Sequence, residues 1–266
     1  MNKPAISCVC LTYGRTWLLA EAIESYLRQD YQGQSELIIL NDFAGMTLEI
    51  DAETYGERIK IINLPKRMTS LNDKFDLGVK FAQYPLICMW DDDDISLPHR
   101  LSVSVGATWS PIANMIKYAS FTHHYNLDAG KLPTVVARGI HGGDMFTKDC
   151  YMLLNGSSGD GHNDENFVAK VKADGLFSTF DNSSRPFYIY RWGGITAHHS
   201  CYARDVATCM QRFHRDVVRD RRFVTGRVRI VPAWAQDYQA LCETVRNRIE
   251  SSDIGRSTPL LGSSSI

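Results

Sequence analysis

The 266-residue chain has no long apolar run and no marked excess of charge of either sign. No stretch approaches the roughly 20 apolar residues that a membrane-spanning helix needs, so the sequence predicts no transmembrane segment. Twenty-nine basic and 30 acidic side chains give a formal net charge of −1. Such a balance provides no global field to attract nucleic acid or an anionic membrane, and any such partner would have to bind a local patch.

Cysteine usage gives no sign of a disulfide framework. The seven cysteines are odd in number, scattered, and mostly placed inside apolar runs. This distribution is typical of reduced, buried thiols. The first residues, 1–4, also lack an apolar signal region. We therefore expect a cytoplasmic protein.

The first half of the chain alternates between short apolar runs and segments with helical spacing, and 44% hydrophobic content suffices for a substantial core. Continuous apolar runs of this length predict buried parallel strands. The predicted strands cover residues 5–11, 37–40, 59–62 and 85–90, and the predicted helices cover 16–27 and 71–83. The pattern indicates an α/β protein with a mainly parallel sheet covered by helices on both faces.

The second half is less regular. We predict strands over 115–121, 132–140 and 187–192, a turn over 128–131, a polar loop over 156–161, a helix beginning near Asp164, and a terminal helix over 233–249. No internal repeat or low-complexity linker divides the chain, so one continuous domain is expected.

Four consecutive aspartates, Asp91 to Asp94, follow the apolar run that ends at Trp90. Adjacent carboxylates repel one another unless a cation lies among them, and burying them unpaired costs free energy. The carboxyl ends of parallel strands are where open α/β sheets bind ligands. Because hard oxygen ligands suit Mg²⁺ or Mn²⁺, the segment predicts a metal site.

Two further strand ends carry polar residues, with Thr12 and Tyr13 after the first strand and Asn41 and Asp42 after the second. Parallel strands bring these ends to one edge of the sheet, beside the aspartates. The three ends together predict a nucleotide-binding crevice.

Three segments then resemble the family 2 glycosyltransferases, which are inverting enzymes with the GT-A fold. The matching segments are Ser7–Arg15, Leu40–Asp42 and Trp90–Leu101. The last is the most specific, because an Asp-x-Asp-Asp run followed by Leu-Pro-x-Arg-Leu is similar to the metal-binding segment of that family. The resemblance covers roughly residues 5–200.

The resemblance implies a GT-A type α/β fold, in which a mainly parallel, nucleotide-binding sheet flanked by helices precedes a less regular acceptor-side half. The implied layout is a single domain over 1–250, with a nucleotide-sugar and metal half at 5–110, an acceptor half at 111–200 and a helical extension at 201–250, followed by a flexible tail at 251–266.

The resemblance also assigns the donor and metal residues. Asp93 would ligate Mn²⁺ or Mg²⁺, with Asp91 as a second ligand and His198 completing the shell. Asp91 or Asp92 would contact the ribose. The remaining members of the implied nucleotide-binding set are Thr12, Tyr13, Arg15, Asp42 and Lys74. A solvent-exposed helix lysine is the alternative for Lys74.

An inverting transfer needs a general base that takes the proton of the acceptor hydroxyl. By resemblance, aligning Phe167 with the apolar position of the family places Asp164 on the base, and Glu165 is its rival. Asn163 stands where the family commonly has glutamate. Acids that only favour a helix N-terminus are the alternative for both residues.

The implied reaction moves a sugar from a nucleoside diphosphate donor, most simply UDP-linked, to an acceptor hydroxyl. Acceptor choice is expected in His141–Asp144, the loop 156–163 and the arginine-rich stretch Arg212–Arg229. A saccharide or glycan acceptor is favoured, although the arginines could hold an anionic lipid carrier or nucleic acid, or simply form a solvated helix face.

Two other functional classes remain open for a chain with this pattern. A sugar-phosphate nucleotidyltransferase has a similar sheet but would need a glycine-rich, basic loop after the first strand, whereas residues 12–16 hold one glycine and one arginine. A non-catalytic carbohydrate- or nucleic-acid-binding module on the same fold is the other alternative.

Overall fold

Strands and helices alternate along the first half of the chain, as the apolar pattern predicts. A computed structural model describes residues 3–108, 117–128, 130–156, 163–192 and 224–254. The first-half elements are β1 (Ile6–Thr12), α1 (Thr16–Leu27), β2 (Ser35–Asn41), β3 (Met46–Glu49), α2 (Ala52–Tyr55), β4 (Ile59–Asn63), α3 (Leu71–Phe81), β5 (Leu86–Met89), β6 (Ile95–Ser96) and α4 (Arg100–Thr108).

The second half has shorter strands. Its elements are β7 (Tyr118–Phe121), β8 (His124–Asp128), β9 (Thr134–Val136), a 3-10 turn (His141–Gly143), β10 (Met145–Thr147), α5 (Lys148–Leu153), α6 (Asn163–Ala173), β11 (Phe177–Phe180), β12 (Tyr188–Trp192), β13 (Gly226–Arg229) and α7 (Tyr238–Ile254).

A seven-stranded sheet in the order β11-β7-β10-β5-β1-β2-β4 forms the centre of the described fold. β1 pairs in parallel with β2 and β5, β2 pairs in parallel with β4, and β11 pairs in parallel with β7. Only β10 runs antiparallel to its neighbours in this sheet. The prediction of a mainly parallel sheet is confirmed, and the carboxyl ends of β1, β2 and β5 meet at one edge.

Both faces of this sheet are buried. Cys8 and Cys10 of β1 pack on one face together with α1 residues such as Leu19, whereas Val9 packs on the other face with α3 residues such as Val79. Burial of such side chains stabilises the fold by about 1.5–3 kcal/mol each for the larger aliphatics. This double covering explains why the strands are continuously apolar instead of alternating.

A four-stranded sheet in the order β6-β12-β8-β9 lies beside the aspartate segment. β6 follows the aspartates directly, and Ile95 of β6 pairs with Ile189 of β12. This pairing places the β12 side chains next to the aspartates. In a third sheet β13 pairs in parallel with β3.

Four predictions about the elements need correction. The predicted strand over 132–140 is confined to β9, which pairs with β8, a separate strand that the apolar pattern did not predict. The terminal helix begins at Tyr238, because Asp237 accepts a hydrogen bond from the Ala240 amide and starts it there. The predicted helical extension includes a strand, β13. Residues 251–254, assigned to the tail, continue α7.

Within the described ranges, none of the helices combines the length and the apolar character needed to cross a membrane.

Candidate active site

The loop after β1 carries Arg15 to the aspartates at the end of β5. Gly14 has φ 72°, a left-handed conformation that is cheap only for glycine, and it turns the chain immediately before Arg15. The Arg15 guanidinium forms a two-point contact with the Asp92 carboxylate and bonds Asp93 Oδ2 at 2.5 Å. A buried ion pair therefore joins the two strand ends, and the resemblance did not predict it.

Asp92, Asp93 and Asp94 are almost fully buried, with 1–3% of their surface exposed. Burial raises the pKa of Asp92 to about 6, although the neighbouring Arg15 guanidinium favours its charged form. Arg15 carries one positive charge against the carboxylates of Asp92 and Asp93. The pair of aspartates therefore retains net negative charge next to Asp91.

Tyr188 of β12 joins the two outer aspartates. Its hydroxyl lies 2.5 Å from Asp91 Oδ2 and 2.6 Å from Asp94 Oδ2. A phenol has one hydrogen, so the two carboxylate oxygens share a single donor. Burial raises the pKa of Asp94 well above its ordinary value, and the neighbouring Asp93 and Asp91 carboxylates raise it further. The Tyr188 hydroxyl therefore links the Asp91 and Asp94 carboxylates at the cavity wall.

Arg191, also on β12, fixes the backbone of the aspartate segment. Its amide donates to Asp94 Oδ1 at 2.8 Å, and its guanidinium donates to the Asp93 carbonyl and to Glu21 of α1. Glu21 Oε1 in turn accepts from the Tyr238 hydroxyl at 2.7 Å and from the Ala235 amide at 2.9 Å. The C-terminal segment therefore supports the site through Glu21 and Arg191.

Arg100, which is fully buried, holds the opposite side of the segment. It donates to Ser96 Oγ at 2.7 Å, to the Met89 carbonyl at 2.5 Å and to the Gly142 carbonyl at 2.6 Å. A Cβ at Gly142 would clash with Asp91 Oδ2 and the Tyr188 hydroxyl. Glycine is needed there because the 3-10 turn passes directly over these two groups.

Lys74 and Asp42 form a second buried ion pair at the same sheet edge. Lys74 Nζ donates to Asp42 Oδ1 and to the Thr12 carbonyl, both at 2.6 Å, and Asp42 Oδ2 accepts from the Met68 amide at 3.0 Å. Lys74 is 3% exposed, so the solvated-lysine alternative is wrong. Burial lowers the pKa of Lys74, although Asp42 favours its charged form.

We expect Lys74→Met to destabilise the fold by about 3 kcal/mol, because it leaves the buried Asp42 carboxylate without its cation. Lys80→Met is the matched control, since Lys80 lies on the same helix and is exposed; it should change stability by less than about 0.5 kcal/mol. Urea unfolding of the two variants measures the difference. Equal losses of unfolding free energy in Lys74→Met and Lys80→Met would contradict a stabilising ion pair between Lys74 and Asp42.

Tyr13 lies between two side chains at the end of β1. Its ring packs edge-on against Phe43 at 5.3 Å between centroids, and the Arg67 guanidinium lies 4.9 Å from the Tyr13 ring centroid. An aromatic ring with a cation above it can stack on a nucleobase. The base-lining role of Tyr13 stays a prediction.

A cavity of about 800 Å³ opens over the aspartates. Its wall includes all four aspartates, Arg15, Phe75, Phe167 and Tyr188. The volume lies within the range of small-molecule and cofactor sites. The lining does not include Thr12, Tyr13, Asp42 or Lys74, and Lys74 Nζ instead bonds the Thr12 carbonyl and the Asp42 carboxylate.

Several predicted residues have no described side chain. Asp164 and Glu165 lie in the first turn of α6, which confirms the predicted helix start, but their side chains lie outside the described set. His198 and positions 212–223 of the arginine stretch also lie outside the described residues. Arg227 and Arg229 are described on β13, where they pair with Glu49 and Asp51.

Sequence reasoning missed Glu21, Arg100, Tyr188 and Arg191 as parts of the site. A usable signal existed for Glu21, because it shares the buried face of α1 with Leu18, Ala22 and Ser25, where an isolated acid requires a partner. No spacing rule connects Glu21 to Arg191, since 170 positions separate them.

No group of three or more His, Cys, Asp and Glu side chains among the described residues is arranged to hold a metal ion. Mg²⁺ is commonly held by one or two protein carboxylates together with substrate phosphates and water. Asp91 and Asp93 both line the cavity and supply the hard oxygen atoms for such a site. The residues present therefore fit a metal that is shared with a phosphorylated ligand.

Comparison with known proteins agrees with this arrangement. Residues 7–108 match the family described as glycosyl transferase family 2. The chain is 31% identical over 127 residues to WcaA of Escherichia coli (strain K12), which is named as a putative glycosyl transferase of colanic acid biosynthesis. That match covers 45% of this chain and 43% of WcaA, so it spans less than half of the relative.

Two solved structures share the fold. The chain resembles S. aureus TarS 1-349 in complex with UDP-GlcNAc, with a TM-score of 0.57 and 11% identity over 98% of this chain and 77% of that one. It also resembles the mannosyltransferase PcManGT from Pyrobaculum calidifontis in complex with GDP-Man and Mn²⁺, with a TM-score of 0.55, 12% identity and the same coverage.

The fold is thus a GT-A type α/β fold, and the predicted resemblance is confirmed. Residues 7–108 are similar to a family 2 glycosyltransferase domain.

Proposed function

We propose that this protein is a metal-dependent, inverting glycosyltransferase that moves a sugar from a nucleoside diphosphate donor to an acceptor hydroxyl. The observation that carries the proposal is the aspartate segment, which lies at the sheet edge, lines a large cavity and is fixed on both sides by buried arginines. The family match favours this reaction over the nucleotidyltransferase and binding-module alternatives.

The buried network positions the donor groups. Arg15 orients Asp92 and Asp93, Tyr188 orients Asp91, and Arg191 fixes the Asp93 carbonyl. Because these partners are already in place, binding a donor needs little side-chain ordering at the aspartates. In this assignment Asp91 or Asp92 contacts the ribose, and Tyr13 lies against the base.

Asp93 and Asp91 would hold Mn²⁺ or Mg²⁺ on the diphosphate, with His198 as a further ligand. The ion would offset the negative charge that grows on the leaving diphosphate. Arg15 adds a fixed positive charge at the same place. Asp164, with Glu165 as its rival, would take the proton of the acceptor hydroxyl on the face opposite the leaving group.

We favour a UDP-linked sugar, and the structural relatives were solved with UDP-GlcNAc in one case and GDP-Man in the other.

The five described cysteines, Cys8, Cys10, Cys88, Cys150 and Cys242, are free and buried, which supports a reducing, cytoplasmic setting.

Calorimetric titration with UDP, GDP and dTDP, each with and without Mn²⁺, tests this function. We expect one nucleotide to bind in the micromolar to millimolar range and to bind at least about tenfold more tightly with Mn²⁺, because two carboxylates and a diphosphate would share the ion. If none of the three binds under either condition, the transferase proposal is wrong. Equal nucleotide affinity with and without Mn²⁺ would support the donor site but contradict the proposed metal dependence.

A further inference from the structure

A second cavity of about 480 Å³ adjoins the cavity over the aspartates. The two share one wall, formed by residues 138–141. The far side of the second cavity is formed by α6, through Val168 and Lys172, and by β11, through Phe177. α6, the helix whose first turn carries Asp164 and Glu165, therefore borders both cavities, since its Phe167 lines the cavity over the aspartates.

The lining of this second cavity suits a sugar. Ser120 and Thr179 bring hydroxyl groups that can pair with sugar hydroxyls, Thr122 adds a hydroxyl that also contacts His123, and the partly buried Phe177 side chain and Val168 add apolar surface. His141 is held in the shared wall by the Tyr118 hydroxyl, 2.8 Å from its Nδ1. A pyranose presents this combination of hydroxyl edges and apolar faces.

The accessible charge of the second cavity is positive. Arg138 and Lys172 are exposed on its wall, and no described acid pairs with either of them; Lys172 Nζ lies 4.7 Å from the Phe177 ring centroid. Asp144 is the one acidic residue on the wall among the described residues. It is buried, and its Oδ2 accepts from the Tyr118 hydroxyl at 2.5 Å.

We propose that this second cavity binds a saccharide that carries an acidic group, a carboxylate or a phosphate, with Arg138 and Lys172 on the acid and the hydroxyl residues on the ring. Its use as the acceptor site rests on the function proposed above. The binding itself does not, because it needs neither a nucleotide nor a metal. A charged hydrogen bond is stronger than a neutral one, so the acid would dominate selection.

NMR titration of the ¹⁵N-labelled protein tests the proposal with two matched pairs of probes. Methyl glucuronide is compared with methyl glucoside, and glucose 6-phosphate with glucose. We expect saturable amide shifts at Thr122, Gly139 and Thr179, with at least one acidic probe binding about tenfold more tightly than its neutral partner. The tighter of the two acidic probes identifies the acid as carboxylate or phosphate.

Lys172→Gln should weaken binding of the acidic probe about tenfold, and Arg138→Gln serves as a second variant. Lys131→Gln is the charge-matched control, since Lys131 is exposed and pairs with Asp128 outside both cavities. Equal binding of acidic and neutral probes, no saturable shift at the cavity amides, or equal losses in Lys172→Gln and Lys131→Gln would each overturn the proposal. Titrating the same sample with UDP and Mn²⁺ tests the donor site separately.

Discussion

Asp93→Asn is expected to lower the rate of sugar transfer by on the order of a thousandfold. A cation held at the leaving diphosphate contributes several kcal/mol to the transition state, and each 1.36 kcal/mol changes the rate about tenfold. The fold should remain intact, because Arg15 keeps its two-point contact with Asp92 and the substitution removes repulsion between neighbouring carboxylates. Nucleoside diphosphate release in excess Mn²⁺ measures the rate, and urea unfolding measures stability.

Asp94→Asn is the matched control for this variant, because it makes the same chemical change at the next residue. The introduced amide can accept from the Arg191 backbone N–H through its oxygen, and its NH₂ group can donate to the Tyr188 oxygen in place of the contact that Asp94 Oδ2 makes there. We expect less than a tenfold change in rate, since both hydrogen bonds are kept. Near wild-type rates in Asp93→Asn would mean that the segment is only an acidic turn. Equal losses in both variants would contradict a specific role for Asp93 as a metal ligand.

The second large effect is expected at the start of α6. If Asp164 is the base, Asp164→Asn should lower kcat by on the order of a hundredfold or more, because proton transfer from the acceptor hydroxyl loses its acceptor group. The affinity for the nucleotide-sugar donor should barely change, since the residues proposed to bind it lie at the strand ends of the first half. Transfer kinetics together with nucleotide titration separate the two quantities.

Glu165→Gln is the control for this assignment, and it should lower kcat far less. The reverse order would assign the base to Glu165. Equal and mild effects would leave both acids as residues that only favour the helix N-terminus.

The sequence predicted the parts of the fold that follow from local patterns. Apolar runs located β1, β2 and β5, because strands buried on both faces must be continuously apolar, and they also located the partly buried edge strand β4. The same patterns failed for β3, β8 and β13, which are short and have mixed polarity. Such strands are stabilised by pairing with distant segments, and periodicity does not record that pairing.

The candidate site also contains some residues that the sequence predicts and others that it does not. The aspartates were predictable because four adjacent acids after a buried strand demand a compensating cation. Their protein partners were not, because Arg15, Tyr188 and Arg191 reach them from 77 to 98 positions away. Lys74 was ambiguous for a related reason: its helical spacing is known from sequence, but its partner Asp42 lies on another strand end.

The most direct test of the metal and donor site is electron paramagnetic resonance of Mn²⁺ in the presence of UDP. Wild-type protein should reduce the free Mn²⁺ signal beyond the reduction caused by UDP alone, because Asp91, Asp93 and the diphosphate would share the ion. Asp93→Asn should lose most of this additional reduction, whereas Asp94→Asn should retain it. An identical free Mn²⁺ signal with wild-type protein, with Asp93→Asn and without protein would contradict a metal site at the aspartates.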